Sequence, residues 1–112
     1  MSETQAKILV VDDDANNHRV YERILEPLHL EIVKAMSGQQ ALAVAYRHNF
    51  FLILMDVQMP VMDGYDATRA MRSNPVNDDL PIIAMTANAM KGDREKCLAV
   101  GMNDHLAKPI DP

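Results

Sequence analysis

The stretch FLILMD, residues 51–56, is a run of five apolar residues followed by an aspartate. Continuous apolar runs of this length are typical of strands that are buried on both faces of a parallel sheet. Two further runs have the same character, ILVV at residues 8–11 and IIAM at residues 82–85. We therefore predict three buried parallel strands, and we expect Asp56 to stand where the strand of residues 51–55 reaches solvent.

Two weaker strands complete the predicted sheet. Residues 30–33 are apolar except for Glu31, which predicts a strand at an edge of the sheet. Residues 104–107 form a fifth, less regular candidate. The sequence thus predicts five strands.

Segments with helical spacing lie between these strands. Val20, Ile24 and Leu28 repeat at intervals of four residues. Ser37 and Asp63 are predicted N-caps, the first for a helix at residues 38–47. A fourth helix is predicted at residues 90–100, where the following glycine, Gly101, suits a helix end. Strands and helices that alternate in a short chain predict an α/β fold, a parallel sheet with helices on both faces.

Bulk composition predicts one soluble domain. The chain has 112 residues, of which 48% are apolar, enough for one core. Its formal net charge of −5 argues weakly against direct contact with nucleic acid or with an anionic membrane. A single cysteine, Cys97, excludes an internal disulfide, which favours a reducing compartment. Since no signal peptide or membrane-spanning run is evident, we expect a cytoplasmic protein.

The last two residues, Asp111 and Pro112, have the pattern of a helix N-cap followed by proline at the first helical position. The predicted fifth helix is therefore missing or truncated. We expect residues 1–112 to be one domain, the N-terminal part of a longer protein.

Charged and hydroxyl side chains follow the predicted strands at their carboxyl ends. In an open parallel sheet these ends lie along one edge, where functional groups gather. The side chains expected at this edge are three successive aspartates, a fourth carboxylate, a hydroxyl and an ammonium, namely Asp12, Asp13, Asp14, Asp56, Thr86 and Lys108.

Clustered carboxylates repel one another, so a fold that keeps them together favours a bound cation. Mg²⁺, a hard ion that prefers oxygen ligands, is the natural candidate, with Asp12, Asp13 and Asp56 as ligands. A solvated acidic edge is the alternative interpretation. Asp14 is better suited to capping a helix than to binding metal.

Asp56 has the position of a nucleophile toward phosphorus. A bound Mg²⁺ would neutralise charge on the phosphoryl oxygens, the Lys108 ammonium would pair with one of them, and the Thr86 hydroxyl would donate to another. These are the positioning and charge-stabilising groups that phosphoryl transfer requires.

The chain resembles the receiver domains of bacterial two-component signalling. Four stretches carry the resemblance, in the family's order and spacing: ILVVDD at residues 8–13, LMDVQMPVMDG at 54–64, IIAMTA at 82–87 and KPI at 108–110. The second stretch is highly specific. The resemblance implies a doubly wound, five-stranded parallel sheet with the flavodoxin-like order 2-1-3-4-5.

The resemblance also implies a role for each matching residue. Asp56 is similar to the phosphoacceptor. Asp12 and Asp13 resemble the acidic pair that holds Mg²⁺ (or Mn²⁺), Asp13 directly and Asp12 mainly through water. The backbone carbonyl of Gln58 resembles a further metal ligand. The Thr86 hydroxyl and the Ala87 N–H resemble the donors to the phosphoryl oxygens, and Lys108 resembles the ammonium that pairs with them. A cis peptide bond before Pro109 is implied as well.

One position departs from the family pattern. The family usually has tyrosine or phenylalanine three residues before the lysine, where the ring switches between buried and exposed positions together with the threonine. This chain has His105 there. A histidine ring can still switch, but it is smaller and can titrate; an exposed loop histidine is the alternative. Thr86 and His105 are thus the predicted switch residues.

Three other functions are alternatives to this interpretation. A dehalogenase-type phosphatase needs a second acid two residues after the nucleophile, where this chain has Gln58. A flavodoxin-like cofactor binder needs a phosphate-cradling loop where Asp12, Asp13 and Asp14 would repel phosphate. A pseudo-receiver, an interaction module that is not phosphorylated, is the remaining alternative.

The predicted function is a phosphorylation-controlled switch rather than an enzyme with a separate substrate. Its expected partners are a sensor histidine kinase or histidine phosphotransfer protein, an output domain or downstream protein, and a second copy in a dimer. The remaining residues have packing or surface roles. Met55, Met85, Met90 and Cys97 are expected in or near the core, and His18, His29 and His48 at the surface.

Overall fold

The computed structural model describes residues 6–59, 61–86 and 91–107. Strands and helices alternate along this part of the chain. They are β1 (Lys7–Val11), α1 (Ala15–Leu25), β2 (Glu31–Ala35), α2 (Gly38–Ala45), β3 (Leu52–Asp56), α3 (Gly64–Arg72), β4 (Ile82–Thr86), α4 (Lys91–Ala99) and β5 (Asp104–Ala107), with 3₁₀ turns at Glu26–Leu28 and Pro75–Asn77.

The five strands form one parallel sheet in the order β2-β1-β3-β4-β5. This is the predicted order, and β2 is at an edge as predicted. β3 therefore lies at the centre of the sheet, with β1 on one side and β4 on the other. The site at the carboxyl end of the sheet depends on this arrangement.

Side chains on the described strands alternate between two cores. One core lies under α2, α3 and α4, and includes Leu9, Val11, Ile53, Met55 and the buried Cys97. The other lies under α1 and includes Ile8, Val10, Tyr21, Leu54 and Met85. The predicted burial of Met55, Met85 and Cys97 is confirmed; Met90 lies outside the described residues. Continuous apolar strands are required because both faces of the sheet are covered.

An apolar groove of about 220 Å³ lies between α1 and the sheet. Its lining comes from α1, β1, β3 and β5: Ile8, Tyr21, Ile24, Leu25, Leu52, Leu54 and Leu106. The predicted fifth helix would begin among residues 108–112, which lie outside the described residues, so four helices are described.

The predicted N-caps are confirmed by hydrogen bonds. The Ser37 hydroxyl accepts from the Gln40 N–H at 3.1 Å, and the Asp63 carboxylate accepts from the Asp66 N–H at 2.9 Å. The Asp14 carboxylate accepts from the Asn16 N–H at 2.8 Å, which confirms its capping role. Each cap satisfies a backbone donor that the helix leaves unpaired.

Several element boundaries differ from the sequence prediction. β3 is Leu52–Asp56 instead of residues 51–55, and α4 ends at Ala99 rather than at residue 100. β2 runs from Glu31 to Ala35 instead of residues 30–33, because all five residues of β1 pair with it. The preceding His29 has a left-handed backbone conformation (φ 56°), so the strand begins later. α2 ends at Ala45 rather than at residue 47, since Tyr46 serves as its C-cap.

The prediction that His18 lies at the surface was wrong. Its side chain is 3% exposed, and its Nε2 lies 2.8 Å from the backbone carbonyl oxygen of Asp12. His29 is exposed as predicted, and His48 is half-buried with its Nδ1 3.1 Å from the Lys7 ammonium. Because α1 begins at Ala15, residue 18 lies on the side of the helix that faces the end of β1. The His18 side chain is therefore buried.

Among the described residues, no helix combines the length and the apolar composition needed to cross a lipid bilayer.

Candidate functional site

Three carboxylates meet at the carboxyl end of the sheet, as predicted. Val11 pairs with Met55 across β1 and β3, so the residues that follow, Asp12 and Asp56, are brought side by side. Asp12 is 0% exposed and Asp56 is 3% exposed, whereas Asp13 is open to solvent. One carboxylate oxygen from each of Asp12, Asp13 and Asp56 lies within 4.8 Å of the other two.

Asp12 is held by donors from α1 and from its N-cap residue, Asp14. Its Oδ1 accepts from the Asp14 N–H at 3.0 Å. Its Oδ2 accepts from the Asn17 side-chain amide at 3.1 Å and from the Tyr21 hydroxyl at 2.9 Å. Both carboxylate oxygens therefore have protein donors, and the charge is compensated although the group is fully buried.

The backbone of Asp12 is held by His18. Because a carbonyl oxygen only accepts hydrogen bonds, the His18 Nε2 carries the proton in the 2.8 Å contact. The other ring nitrogen, Nδ1, is buried without a hydrogen-bond partner among the described residues. The His18 ring also packs edge-on against Tyr21, with centroids 6.3 Å apart and planes at 82°.

Asp56 is set in a tight junction between β3 and α3. Its Oδ1 accepts from the Gln58 N–H at 3.1 Å. The first residue of α3, Gly64, lies so close that a Cβ there would clash with the Asp56 carbonyl oxygen and come within 2.9 Å of Met55 and Val57. The absence of a side chain at Gly64 thus permits α3 to begin against the backbone of the candidate phosphoacceptor.

Thr86 and His105 lie on the other side of β3. Thr86 is the last residue of β4 and is 4% exposed. Because Asp56 pairs with Met85, Thr86 stands one residue further toward the carboxyl edge. His105, on β5, pairs with Ala84 of β4. Its side chain is 15% exposed, and its Nδ1 lies 3.7 Å from an Asp104 carboxylate oxygen. The alternative prediction for His105, an exposed loop histidine, was wrong because the ring is half-buried and the residue lies on β5.

Ala87, Lys108 and Pro109 lie outside the described residues, so the predicted backbone donor, ammonium and cis peptide bond stay predictions. Gln58 is exposed and adjoins the site through its N–H. The proposed role of its carbonyl as a metal ligand also stays a prediction.

The donor set suits a small divalent cation. Three carboxylate oxygens within 4.8 Å, two of them on almost fully buried residues, concentrate negative charge where water screens it weakly. Mg²⁺ and similar hard cations take oxygen ligands of this kind. Asp12, Asp13 and Asp56 therefore fit the ion that the sequence predicts.

The sequence prediction missed Asn17, His18 and Tyr21, which surround Asp12. A signal was present: with Asp14 as N-cap, positions three, four and seven residues later lie on one face of the helix. Those positions are Asn17, His18 and Tyr21. Counting from the cap would have placed all three against the end of β1.

Comparison with known sequences gives the family. Residues 8–112 match the response regulator receiver domain. A region of the signal transduction histidine-protein kinase BarA of Escherichia coli is 42% identical over 104 residues. The match covers 93% of this chain but 11% of BarA, so the chain spans only a small part of that relative's length.

Solved structures of receiver domains are similar throughout the fold. The receiver domain of the sensor histidine kinase PA1611 from Pseudomonas aeruginosa, solved with magnesium in its active-site cleft, is 45% identical. It aligns with a TM-score of 0.86 over 96% of this chain and 88% of that one. The receiver domain of Ssk1 from Saccharomyces cerevisiae, solved with the histidine phosphotransfer protein Ypd1, is 26% identical, with a TM-score of 0.88 over 99% and 83% of the two chains. This chain therefore belongs to the family of response regulator receiver domains of two-component signalling.

Proposed function

We propose that the chain is a phosphorylation-controlled switch in which Asp56 accepts a phosphoryl group in a Mg²⁺-dependent reaction. The observation that carries the proposal is the position of Asp56. It is almost fully buried at the end of the central strand, with Asp12 and Asp13 within 4.8 Å.

Asp56 is better placed than Asp12 to act as the nucleophile. Both oxygens of Asp12 accept hydrogen bonds from protein donors, and its carboxylate is fully buried. Asp56 stands between the acidic pair on the β1 side and Thr86 on the β4 side. A phosphoryl group on Asp56 would thus have carboxylates on one side and a hydroxyl donor on the other.

The metal would be held by Asp13 and Asp56, by the Gln58 carbonyl, and by Asp12 mainly through water. When bound, Mg²⁺ would supply positive charge to the phosphoryl oxygens, which lowers the cost of placing them beside carboxylates. Mn²⁺ is proposed as an alternative ion. The structure of the PA1611 receiver domain, which holds magnesium in its cleft, supports this assignment.

In the proposed transfer, an Asp56 carboxylate oxygen forms a bond to phosphorus as the bond between phosphorus and the donor's histidine nitrogen breaks. The imidazole leaves and takes up a proton, and Asp56 becomes an acyl phosphate. The Thr86 hydroxyl, the Ala87 N–H and the Lys108 ammonium are proposed to bind the transferred oxygens. The domain thus promotes its own phosphorylation and dephosphorylation, without a separate substrate that it turns over.

The proposed donor is a sensor histidine kinase or a histidine phosphotransfer protein. A similar region occurs in BarA, a histidine-protein kinase, and the Ssk1 receiver domain was solved with the phosphotransfer protein Ypd1. Phosphorylation would shift Thr86 and His105 and so alter the β4–β5 surface that an output domain, a downstream protein or a second copy reads. A cytoplasmic location follows from such partners.

Intact-mass measurement after incubation with acetyl phosphate tests the proposal. We expect the mass of one phosphoryl group to be added with Mg²⁺ and none after chelation of the metal. Asp56→Asn should abolish the addition, and Asp78→Asn, at an exposed aspartate, should not. A wild-type chain that is folded and binds Mg²⁺ but gains no mass would support the pseudo-receiver alternative.

A further inference from the structure

Tyr21 connects the apolar side of α1 to the carboxylate cluster. Its ring belongs to the core formed with Ile8, Val10, Leu54 and Met85, and the residue is 4% exposed. Its hydroxyl lies 2.9 Å from the Oδ2 of Asp12. Since core packing fixes the ring, the position of the hydroxyl is fixed as well.

The Tyr21 hydroxyl is the donor in this contact, because a carboxylate oxygen accepts hydrogen bonds. Burial raises the pKa of Tyr21 far above its ordinary value, and the hydrogen bond to Asp12 and the charges of Asp12, Asp56 and Asp14 raise it further. A neutral donor at this place stabilises the Asp12 carboxylate and adds no charge to the metal site.

Together with Asn17 and the Asp14 N–H, Tyr21 fixes the orientation of Asp12. These donors occupy both carboxylate oxygens at 2.9–3.1 Å. A carboxylate held in this way keeps one orientation, which suits a residue of a metal site. Removal of a group that orients a metal ligand commonly weakens metal affinity by about 10- to 100-fold.

We infer that Tyr21 is a positioning residue for the metal site, which holds Asp12 in the orientation that a small, geometrically strict cation requires. The inference rests on the proposed Mg²⁺ dependence. Mg²⁺ demands near-ideal octahedral geometry, whereas Ca²⁺ accepts variable coordination at longer distances. Loss of the hydroxyl should therefore weaken Mg²⁺ binding more than Ca²⁺ binding.

Calorimetric titration of the 112-residue chain with each cation tests the inference. We expect Tyr21→Phe to raise the dissociation constant for Mg²⁺ by about tenfold, the lower end of the effect of removing a group that orients a metal ligand. The dissociation constant for Ca²⁺ should rise much less. In acetyl phosphate labelling, the half-saturating Mg²⁺ concentration should rise, while the rate at saturating Mg²⁺ stays near that of the wild type.

Two control variants separate positioning from general destabilisation. Tyr46→Phe removes a hydroxyl from a residue that is 60% exposed, and should leave binding of both cations unchanged. Leu25→Ala removes apolar contacts from the Tyr21 side of α1 without removing a donor to Asp12. It should lower the melting temperature in chelator and leave the ratio of Mg²⁺ to Ca²⁺ affinity unchanged.

The inference is overturned if Tyr21→Phe binds Mg²⁺ as the wild type does, or if it loses affinity for both cations equally. Should Tyr21→Phe not fold, Asn17→Ala removes the other donor to the same oxygen and must give the same selective loss. A wild-type chain that binds no Mg²⁺ overturns both this inference and the proposed metal dependence. A wild type that binds Mg²⁺ but gains no phosphoryl group refutes only the proposed function, because the calorimetric comparison of Tyr21→Phe with the wild type measures cation binding without phosphorylation.

Discussion

Asp12 and Asp56 lie side by side at the carboxyl ends of adjacent strands, and both are almost completely buried. Each has protein donors, yet oxygens of the two groups and of Asp13 come within 4.8 Å of one another. Like charges at this separation repel, and burial strengthens the repulsion. The stability of the site therefore depends on what relieves this repulsion.

A divalent cation should relieve it and so stabilise the fold. At a hundredfold excess over its dissociation constant, a ligand that binds only the native state adds about 2.7 kcal/mol to the free energy of unfolding. We predict that millimolar Mg²⁺ raises the melting temperature measured by circular dichroism. Asp13→Asn should abolish most of the rise, because Asp13 is a proposed ligand of the metal. Asp13 is also the exposed member of the cluster, so its replacement should disturb the core little. A wild-type melting temperature independent of Mg²⁺ would count against the metal site.

Gly64→Ala should disturb Asp56 directly, because the added methyl group would clash with its carbonyl oxygen. Insertion of a methyl group into a packed junction costs about 1–3 kcal/mol. We predict this loss in urea denaturation, together with slower acetyl phosphate labelling at saturating Mg²⁺.

Ala70→Gly is the matched control for that variant. Position 70 lies in the same helix, six residues after Gly64, and the substitution costs about 1 kcal/mol through helix propensity without adding a group beside Asp56. It should lower stability and leave the labelling rate unchanged. If both variants lost labelling in proportion to stability, the close approach of Gly64 would have no special role.

Val61 should be a source of backbone strain. It is a β-branched residue with φ of 68°, and its side chain is 92% exposed, so no packing compensates the conformation. Asparagine tolerates this region better, and we predict that Val61→Asn increases the free energy of unfolding by about 1 kcal/mol. Urea denaturation measures the change. A decrease in stability would show that the Val61 side chain contributes more than its exposure indicates.

His105 should report the phosphorylation state. Its ring is half-buried beside Asp104, with Nδ1 lacking a hydrogen-bond partner among the described residues. We predict that the ring proton resonances of His105 shift when Asp56 is phosphorylated or bound to beryllofluoride. His29, exposed after the 3₁₀ turn that follows α1, provides the comparison. A His105 shift no larger than that of His29 would mean that any switch operates without this ring.

The sequence predicted the central sheet well, because strands that are buried on both faces consist of continuous apolar runs. Each of the three continuous apolar runs became a strand, and the carboxylates and hydroxyl after them were brought to one edge. β2 was predicted less accurately, since only its pairing with β1 determines where it ends.

The buried face of α1 was harder to predict. The four-residue repeat located the helix, but Val20 is 42% exposed and Leu28, in the 3₁₀ turn, is 62% exposed. The side chains that turn inward are His18 and Tyr21, polar residues whose burial depends on hydrogen bonds to Asp12. The repeat of apolar residues does not identify this face, because its partner is Asp12 at the end of β1; counting from the Asp14 N-cap does identify it.

The central claim is that Asp56, rather than Asp12 or Asp13, takes the phosphoryl group. The most direct test is to phosphorylate the chain with acetyl phosphate and Mg²⁺, reduce the acyl phosphate with borohydride, and map the modified residue by peptide mass spectrometry. Borohydride converts a phosphorylated aspartate to homoserine, so the site is read from the fragment masses. We predict conversion of Asp56 alone. Conversion at Asp12 or Asp13, or at no residue in a folded chain that binds Mg²⁺, would contradict the claim.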